Sequence, residues 1–241
     1  MKRGELSEER FKIDPDKFEK YEDLPLVSTG CDSCASWDPR FKKLSPVYTT
    51  EQLVEKIVQM LPGGKFTRDI HLILTGGEPL LGWQRGFPEL LDKLKQYDLS
   101  HVTFETNGTQ DLTDEMYNYI INNRRDIEFF FSVSAKLTVS GEKWEEAIKP
   151  QVVTQYISAT GEDNVTFKFV VATNEDLEDV ARAVSEYKQG GIDIPVYLMP
   201  VGGIDSVYFF NNKTVAELAL KNGYRYSPRL QVDLWKNAWA T

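Results

Sequence analysis

Cys31 and Cys34 stand three positions apart in the stretch STGCDSCASWDPRF, residues 28–41, and they are the two cysteines of the chain. Thiols at this spacing can form a redox couple, half of a zinc site, part of an iron–sulfur site, or an ordinary pair of small buried residues. Zinc would need two further ligands, and His71 and His101 are the two histidines in the sequence. A thioredoxin-like couple requires a strand and helix order that the flanking residues lack. A structural disulfide framework is not expected.

Other polar residues gather where apolar runs stop. LTGGEPLL (74–81) carries adjacent glycines, which let a ligand approach the backbone with no Cβ in the way; a bare Gly-Gly serves a tight strand-to-helix turn equally well. FETNGT (104–109) offers Glu105 and Thr106 before an Asn107-Gly108 turn signal. SVSAK (132–136) places two hydroxyls and an ammonium at the end of a third run. Lys168 interrupts VTFKFVV, where a buried ammonium needs a partner and an edge lysine would face solvent. LMPVGG (198–203) ends a further run.

The elements that must position these groups alternate. Strands are predicted at LPLVST (24–29), HLILT (71–75), HVTFET (101–106), IEFFFSVS (127–134), VTFKFVV (165–171) and IPVYLMP (194–200). The clearest helix opens on Thr49 with Gln52 three residues on, then sets Leu53, Val54, Ile57, Val58 and Leu61 on one face before Pro-Gly-Gly at 62–64. Further helices are predicted at 87–97, 112–123, 142–158, 174–189 and 206–221, with Pro150 kinking or splitting the third of these. Such βα alternation implies a parallel sheet, wound either as an open doubly wound sheet or as a full or partial barrel. Both place their chemistry at the C-terminal strand ends.

With 241 residues, one α/β domain is expected: an N-terminal appendage over 1–23 and a single domain over 24–241. A net charge of −9 argues against a nucleic-acid or anionic-membrane footprint and for a small-molecule ligand. No run approaches the roughly 18 apolar residues of a membrane span. The charged start MKRGELSEERFKIDPDKFEK lacks the apolar core of a secretory signal, so a cytoplasmic location is expected.

Taken in order, TGGEP, ETNG, SVSAK, KFVV and the C-terminal GYRYSPRLQVDLW (223–235) resemble radical S-adenosylmethionine enzymes, specifically the 7-carboxy-7-deazaguanine synthases, over about residues 24–239. The resemblance implies a partial (βα)6 TIM-like barrel of parallel strands. It also implies S-adenosyl-L-methionine, a 4Fe-4S cluster and Mg2+ as cofactors. The activity implied is that of a carbon–nitrogen lyase of the radical type, which converts 6-carboxy-5,6,7,8-tetrahydropterin to 7-carboxy-7-deazaguanine with loss of ammonia in queuosine and deazaguanine biosynthesis. A flavodoxin- or ferredoxin-type electron donor and a homodimer are the implied partners, with no nucleic acid or membrane. Trp235 and Trp239 would supply the dimer interface or close the bottom of the barrel.

Carried over by position, Thr75 would touch the substrate. Gly76, Gly77 and Glu78 would hold the methionine end of the cofactor, Ser134, Ala135 and Lys136 its ribose and carboxylate, and Lys168, Phe169, Val170 and Val171 would flank its adenine. Metal-site candidates are Cys31, Cys34 and Ser33, the last as a magnesium-side hydroxyl.

The family loop reads C-x3-C-x2-C, whose three thiolates leave one iron open. Here Gly30-Cys31 matches its first cysteine, and Cys31-Asp32-Ser33 matches its third, as though the loop were shortened by about seven residues at this junction. A QGEG-type substrate segment is not found in residues 1–23; reading the upstream DNA for a missed start or frameshift is the check on whether that segment and the lost cysteines can be restored. The alternative is a non-catalytic barrel descendant that binds a nucleoside-like ligand or a partner.

Overall fold

The computed structural model describes residues 12–26, 34–202 and 205–236. Its centre is a sheet of six parallel strands in sequential order: β1 (Leu72–Leu74), β2 (His101–Thr106), β3 (Glu128–Val133), β4 (Val165–Val171), β5 (Val196–Pro200) and β6 (Arg225–Tyr226). Each strand pairs with the next and the sheet does not close, so the architecture is the expected partial TIM-like barrel.

Period-two alternation decides which side chains face which way. Along β2, Val102, Phe104 and Thr106 are buried, and along β4 Val165, Phe167, Phe169 and Val171 are. This face meets the helices: Phe131 stacks on Tyr156 of the helix Pro150–Thr160 at 4.3 Å, and Phe167 lies 4.2 Å from Tyr187 of the helix Asn174–Gln189. The intervening residues, among them Thr103, Glu105, Ser132 and Lys168, are only half-buried and line the inner face of the open barrel.

The helices are α1 (Thr50–Met60), α2 (Phe87–Lys95), α3 (Asp114–Asn123), α4 (Trp144–Ala147), α5 (Pro150–Thr160), α6 (Asn174–Gln189), α7 (Asp205–Asn222) and α8 (Leu230–Trp235). Thr49 and Gln52 form a reciprocal capping box at the start of α1. Pro150 splits the predicted 142–158 helix in two, because its ring fits the first turn of α5 and cannot sit inside a longer helix. Among the described residues no helix is long and apolar enough to cross a membrane.

One strand differs from expectation. Leu24–Leu26 is not a strand, consistent with Pro25 having no amide to donate, and 27–29 lies outside the described residues. The sixth strand comes from the other end of the chain, where Arg225 and Tyr226 pair with Tyr197 and Leu198. Leu24 instead joins Ala35, Phe41 and Leu44 in a small hydrophobic cluster, with Ile13, Phe18 and Tyr21 packed against it, apart from the main core.

Candidate active site at the strand C-termini

After β1 the chain turns through two glycines with different tasks. Gly76 has φ +127°, a value that L side chains rarely adopt, and a Cβ built there would meet nothing within 4 Å. Its backbone is therefore open to close approach. Gly77 is the opposite case: a Cβ would lie 2.6 Å from Cβ of Trp37, so its missing side chain makes room for that residue. Trp37 is 43% exposed and walls the turn.

Glu78 fastens this turn to the neighbouring strand end. Its Oε1 accepts from the Leu80 amide at 3.1 Å and from Thr106 Oγ1 at 2.7 Å, and its Oε2 accepts from the Asn107 amide at 2.7 Å. Thr106 Oγ1 in turn accepts from the Gly108 amide at 3.1 Å, while Asn107 Oδ1 accepts from the Thr109 amide and hydroxyl. Three of the carboxylate's acceptor positions are thus engaged within the protein, so the residue expected to hold a cofactor amine first holds β1 and β2 together.

Lys168 and Glu105 meet on the inner face at 2.6 Å, with side-chain exposures of 18% and 38%. They come from β4 and β2, which flank β3, so the pair bridges over Ser132, the residue opposite both Glu105 and Thr166. Lys168 thus has its partner and does not sit on an edge strand. At the level of Lys168, Tyr197 accepts a hydrogen bond from Arg225 at 2.9 Å. Glu105 was visible in the sequence only as a polar strand end. The alternation of HVTFET places it on the same face as Thr103, and that signal identifies it.

Lys136 is half-buried at the same rim and makes no ion pair or side-chain hydrogen bond with a described residue. Ser134 is tied to the end of β2 through its amide, which donates to Thr106 O at 2.7 Å. Thr75 is exposed just after β1, and Val170 is half-buried near the end of β4. Ala135, Phe169 and Val171 bury their side chains in the core, so they can offer a ligand only backbone. Cys31, Ser33 and Trp239 lie outside the described residues, and Cys34 begins a short 3-10 turn, Cys34–Ser36. Trp235 is 50% exposed.

A cluster held by three thiolates does not fit a sequence with two cysteines. Among the described residues no group of three or more His, Cys, Asp or Glu side chains could hold a metal ion.

The two histidines lie at the opposite, N-terminal end of the inner face. His71 stacks on His101 at 4.8 Å and on Phe130 at 5.1 Å, with its Nδ1 3.0 Å from Thr103 Oγ1. Desolvation, followed by repulsion from His101, lowers its pKa below the ordinary 6.5, against an opposing pull from Glu128. Below pH 6.5 the unfolded chain therefore binds this proton more readily than the native one. The contribution of His71 to stability is intact above that pH and is lost as pH falls through the native value. An NMR titration is expected to give His71 a midpoint below 6.5, rising when His101 is replaced by alanine; a midpoint at or above 6.5 would contradict this.

No family model matches the chain. Among curated proteins it is 29% identical over 227 residues to the 7-carboxy-7-deazaguanine synthase of Pyrobaculum aerophilum, covering 93% of this chain and 87% of that one. It is 27% identical over 223 residues to the synthase of the same name from Rhodopirellula baltica, covering 88% and 75%. With the Halobacterium salinarum 7-carboxy-7-deazaguanine synthase the identity is 31% over 227 residues, covering 86% of this chain and 78% of the relative. The chain belongs to the 7-carboxy-7-deazaguanine synthase family. Family membership agrees with the resemblance carried by the motifs that meet at this rim, Gly76–Glu78 after β1, Glu105–Gly108 at the end of β2 and Ser134–Lys136 after β3.

Proposed function

We propose that the rim binds S-adenosyl-L-methionine and a carboxylated pterin, and that the reaction served is conversion of 6-carboxy-5,6,7,8-tetrahydropterin to 7-carboxy-7-deazaguanine. The observation that carries this reading is the set of polar groups on one rim: the open backbone of Gly76, the Lys136 ammonium, which is unpaired among the described residues, and the half-buried Glu105–Lys168 pair. These groups fit the methionine end of the cofactor, since Lys136 can meet its carboxylate and Gly76 exposes backbone polar groups to its amine. When bound, S-adenosylmethionine would supply a sulfonium that one electron from an external donor cleaves to methionine and a 5′-deoxyadenosyl radical; the protein's part would be to bind and orient it and to exclude water.

Glu105 and Lys168 hold opposite charges in direct contact at 2.6 Å, so a ligand with both a donor edge and an acidic group would engage them by parting the pair. A pterin's aminopyrimidinone edge donates to a carboxylate, and its 6-carboxylate pairs with an ammonium. Reorganising this pair around the ligand would keep both charges satisfied in a half-buried site. Residues 24–241 are proposed to act as one domain in this role.

No step is routed through the iron–sulfur cluster, because the cysteines present do not fit it. The same cysteine count favours a second reading, a family member that keeps the ligand-binding barrel without the reductive chemistry. Equilibrium dialysis with S-adenosylmethionine and with 6-carboxytetrahydropterin tests the binding directly. Both ligands are expected to bind; Lys136→Met should weaken the first, and Lys168→Met the second, each by about tenfold or more. Absence of binding overturns the proposal. Anaerobic reconstitution followed by assay for 5′-deoxyadenosine and 7-carboxy-7-deazaguanine then separates the readings: binding without either product establishes the second.

A further inference from the structure

Three arginines without an ion-pair or hydrogen-bond partner among the described residues line one cavity at the end of the sheet opposite the candidate active site. Arg68 precedes β1, and Arg124 and Arg125 follow α3; together they border a space of about 640 Å3 against the N-terminal ends of β2 and β3. None of the three makes an ion pair or side-chain hydrogen bond with a described residue. Elsewhere in this acidic chain, Arg182 pairs with Glu186 at 3.2 Å and Arg225 donates to Tyr197.

A cation at the C-terminal end of a helix is ordinary, and Arg124, the cap residue of α3, is accounted for in that way. Arg68 is not, since it reaches the same space from a separate loop. Two carboxylates share the lining, Asp126 and Glu128, and Glu128 lies 3.5 Å from Nε2 of His101. The cationic groups on the cavity outnumber the anionic ones, although the net charge of the whole chain is −9.

We propose that this cavity is a second ligand site, for a small phosphorylated molecule of about nucleotide size. Guanidinium groups present planar forks that match phosphate oxygens, and an exposed arginine loses little hydration on doing so. The space is about half open to solvent, which suits a phosphate chain lying along the arginines, and it has room for a molecule of nucleotide size. Because the site sits at the N-terminal strand ends, its ligand does not compete with one bound at Gly76, Lys136 or Lys168. The proposal stands whether or not the rim binds S-adenosylmethionine.

Isothermal titration calorimetry of the full chain with tripolyphosphate, and separately with ATP, tests it. Saturable binding of one equivalent is expected, weakened about tenfold or more both by Arg68→Gln and by Arg124→Gln/Arg125→Gln, and unchanged by Lys136→Met. Equal affinity for the two probes would assign recognition to the phosphate chain, and tighter ATP binding would add the nucleoside; both support the site. No saturable heat, affinity indifferent to the arginine variants, or loss of binding with Lys136→Met would overturn it. Tighter binding of a single-stranded RNA oligonucleotide than of ATP would overturn the small-molecule assignment. All the substituted arginines are exposed, and circular dichroism verifies that the variants remain folded.

Discussion

Glu78→Ala is expected to destabilise the fold by about 2–4 kcal/mol and to abolish ligand binding at the rim. The carboxylate accepts three hydrogen bonds, two from backbone amides and one from the hydroxyl of Thr106, a residue only 2% exposed. Alanine strands those donors where little water can replace the lost acceptor, and a hydrogen bond to a charged group contributes about 1.5–3 kcal/mol. The consequence is not confined to stability. The turn after β1 and the turn after β2 are joined through this side chain, so both rim segments lose their register when it is removed.

Glu78→Gln separates charge from geometry. The amide oxygen can keep the Leu80 and Thr106 donors, but its NH2 then faces the Asn107 amide, donor against donor. A loss between that of alanine and zero is expected, with weaker ligand binding. Urea denaturation with an unchanged m-value checks both variants. A shift below about 0.5 kcal/mol for the alanine variant, the level of an ordinary surface substitution, would mean that the three contacts do not hold the rim.

Gly108→Ala carries the second large effect, about 2–4 kcal/mol, from two separable causes. Gly108 has φ +76°, and a Cβ there would come within 2.7 Å of Cγ1 of Val133, a fully buried residue of β3. The left-handed backbone alone costs an alanine about 1–2 kcal/mol. Gly82 isolates that part, because it has φ +79° and nothing within 4 Å of its ideal Cβ. Gly82→Ala should therefore lose only the strain. Combining Gly108→Ala with Val133→Ala should cost less than the sum of the single changes, since the second removes the methyl that the first would strike. Strict additivity, or equal losses at Gly82 and Gly108, would show that the clash is absent.

Much of this arrangement can be read from local pattern. The Thr49–Gln52 box, the Pro150 split and the full extent of the helix Asn174–Gln189 follow from residues within a few positions of each boundary. The five longer strand patterns from HLILT to IPVYLMP fall where periodicity puts them, with some ends trimmed. What escaped needed long-range partners. Glu105 and Lys168 are 63 positions apart with a whole strand between them, and only the parallel register brings them together. The contact of Gly77 with Trp37 is equally silent, because a glycine leaves no side-chain pattern from which its neighbour could be inferred. Arg225–Tyr226 is too short a strand to show a period.

The small cluster of Leu24, Ala35, Phe41 and Leu44 gives the stretch that carries Trp37 a core of its own. A segment whose apolar contacts are few and largely its own can undock at a free energy below that of global unfolding, as a separate cooperative unit. Such a release would lift the indole from Gly77 and bare the glycine turn while the six-stranded sheet stayed intact. Trp37 is thus both the packing partner of Gly77 and a wall of the rim, so exposure of the glycine turn would follow the local stability of a few residues outside the barrel.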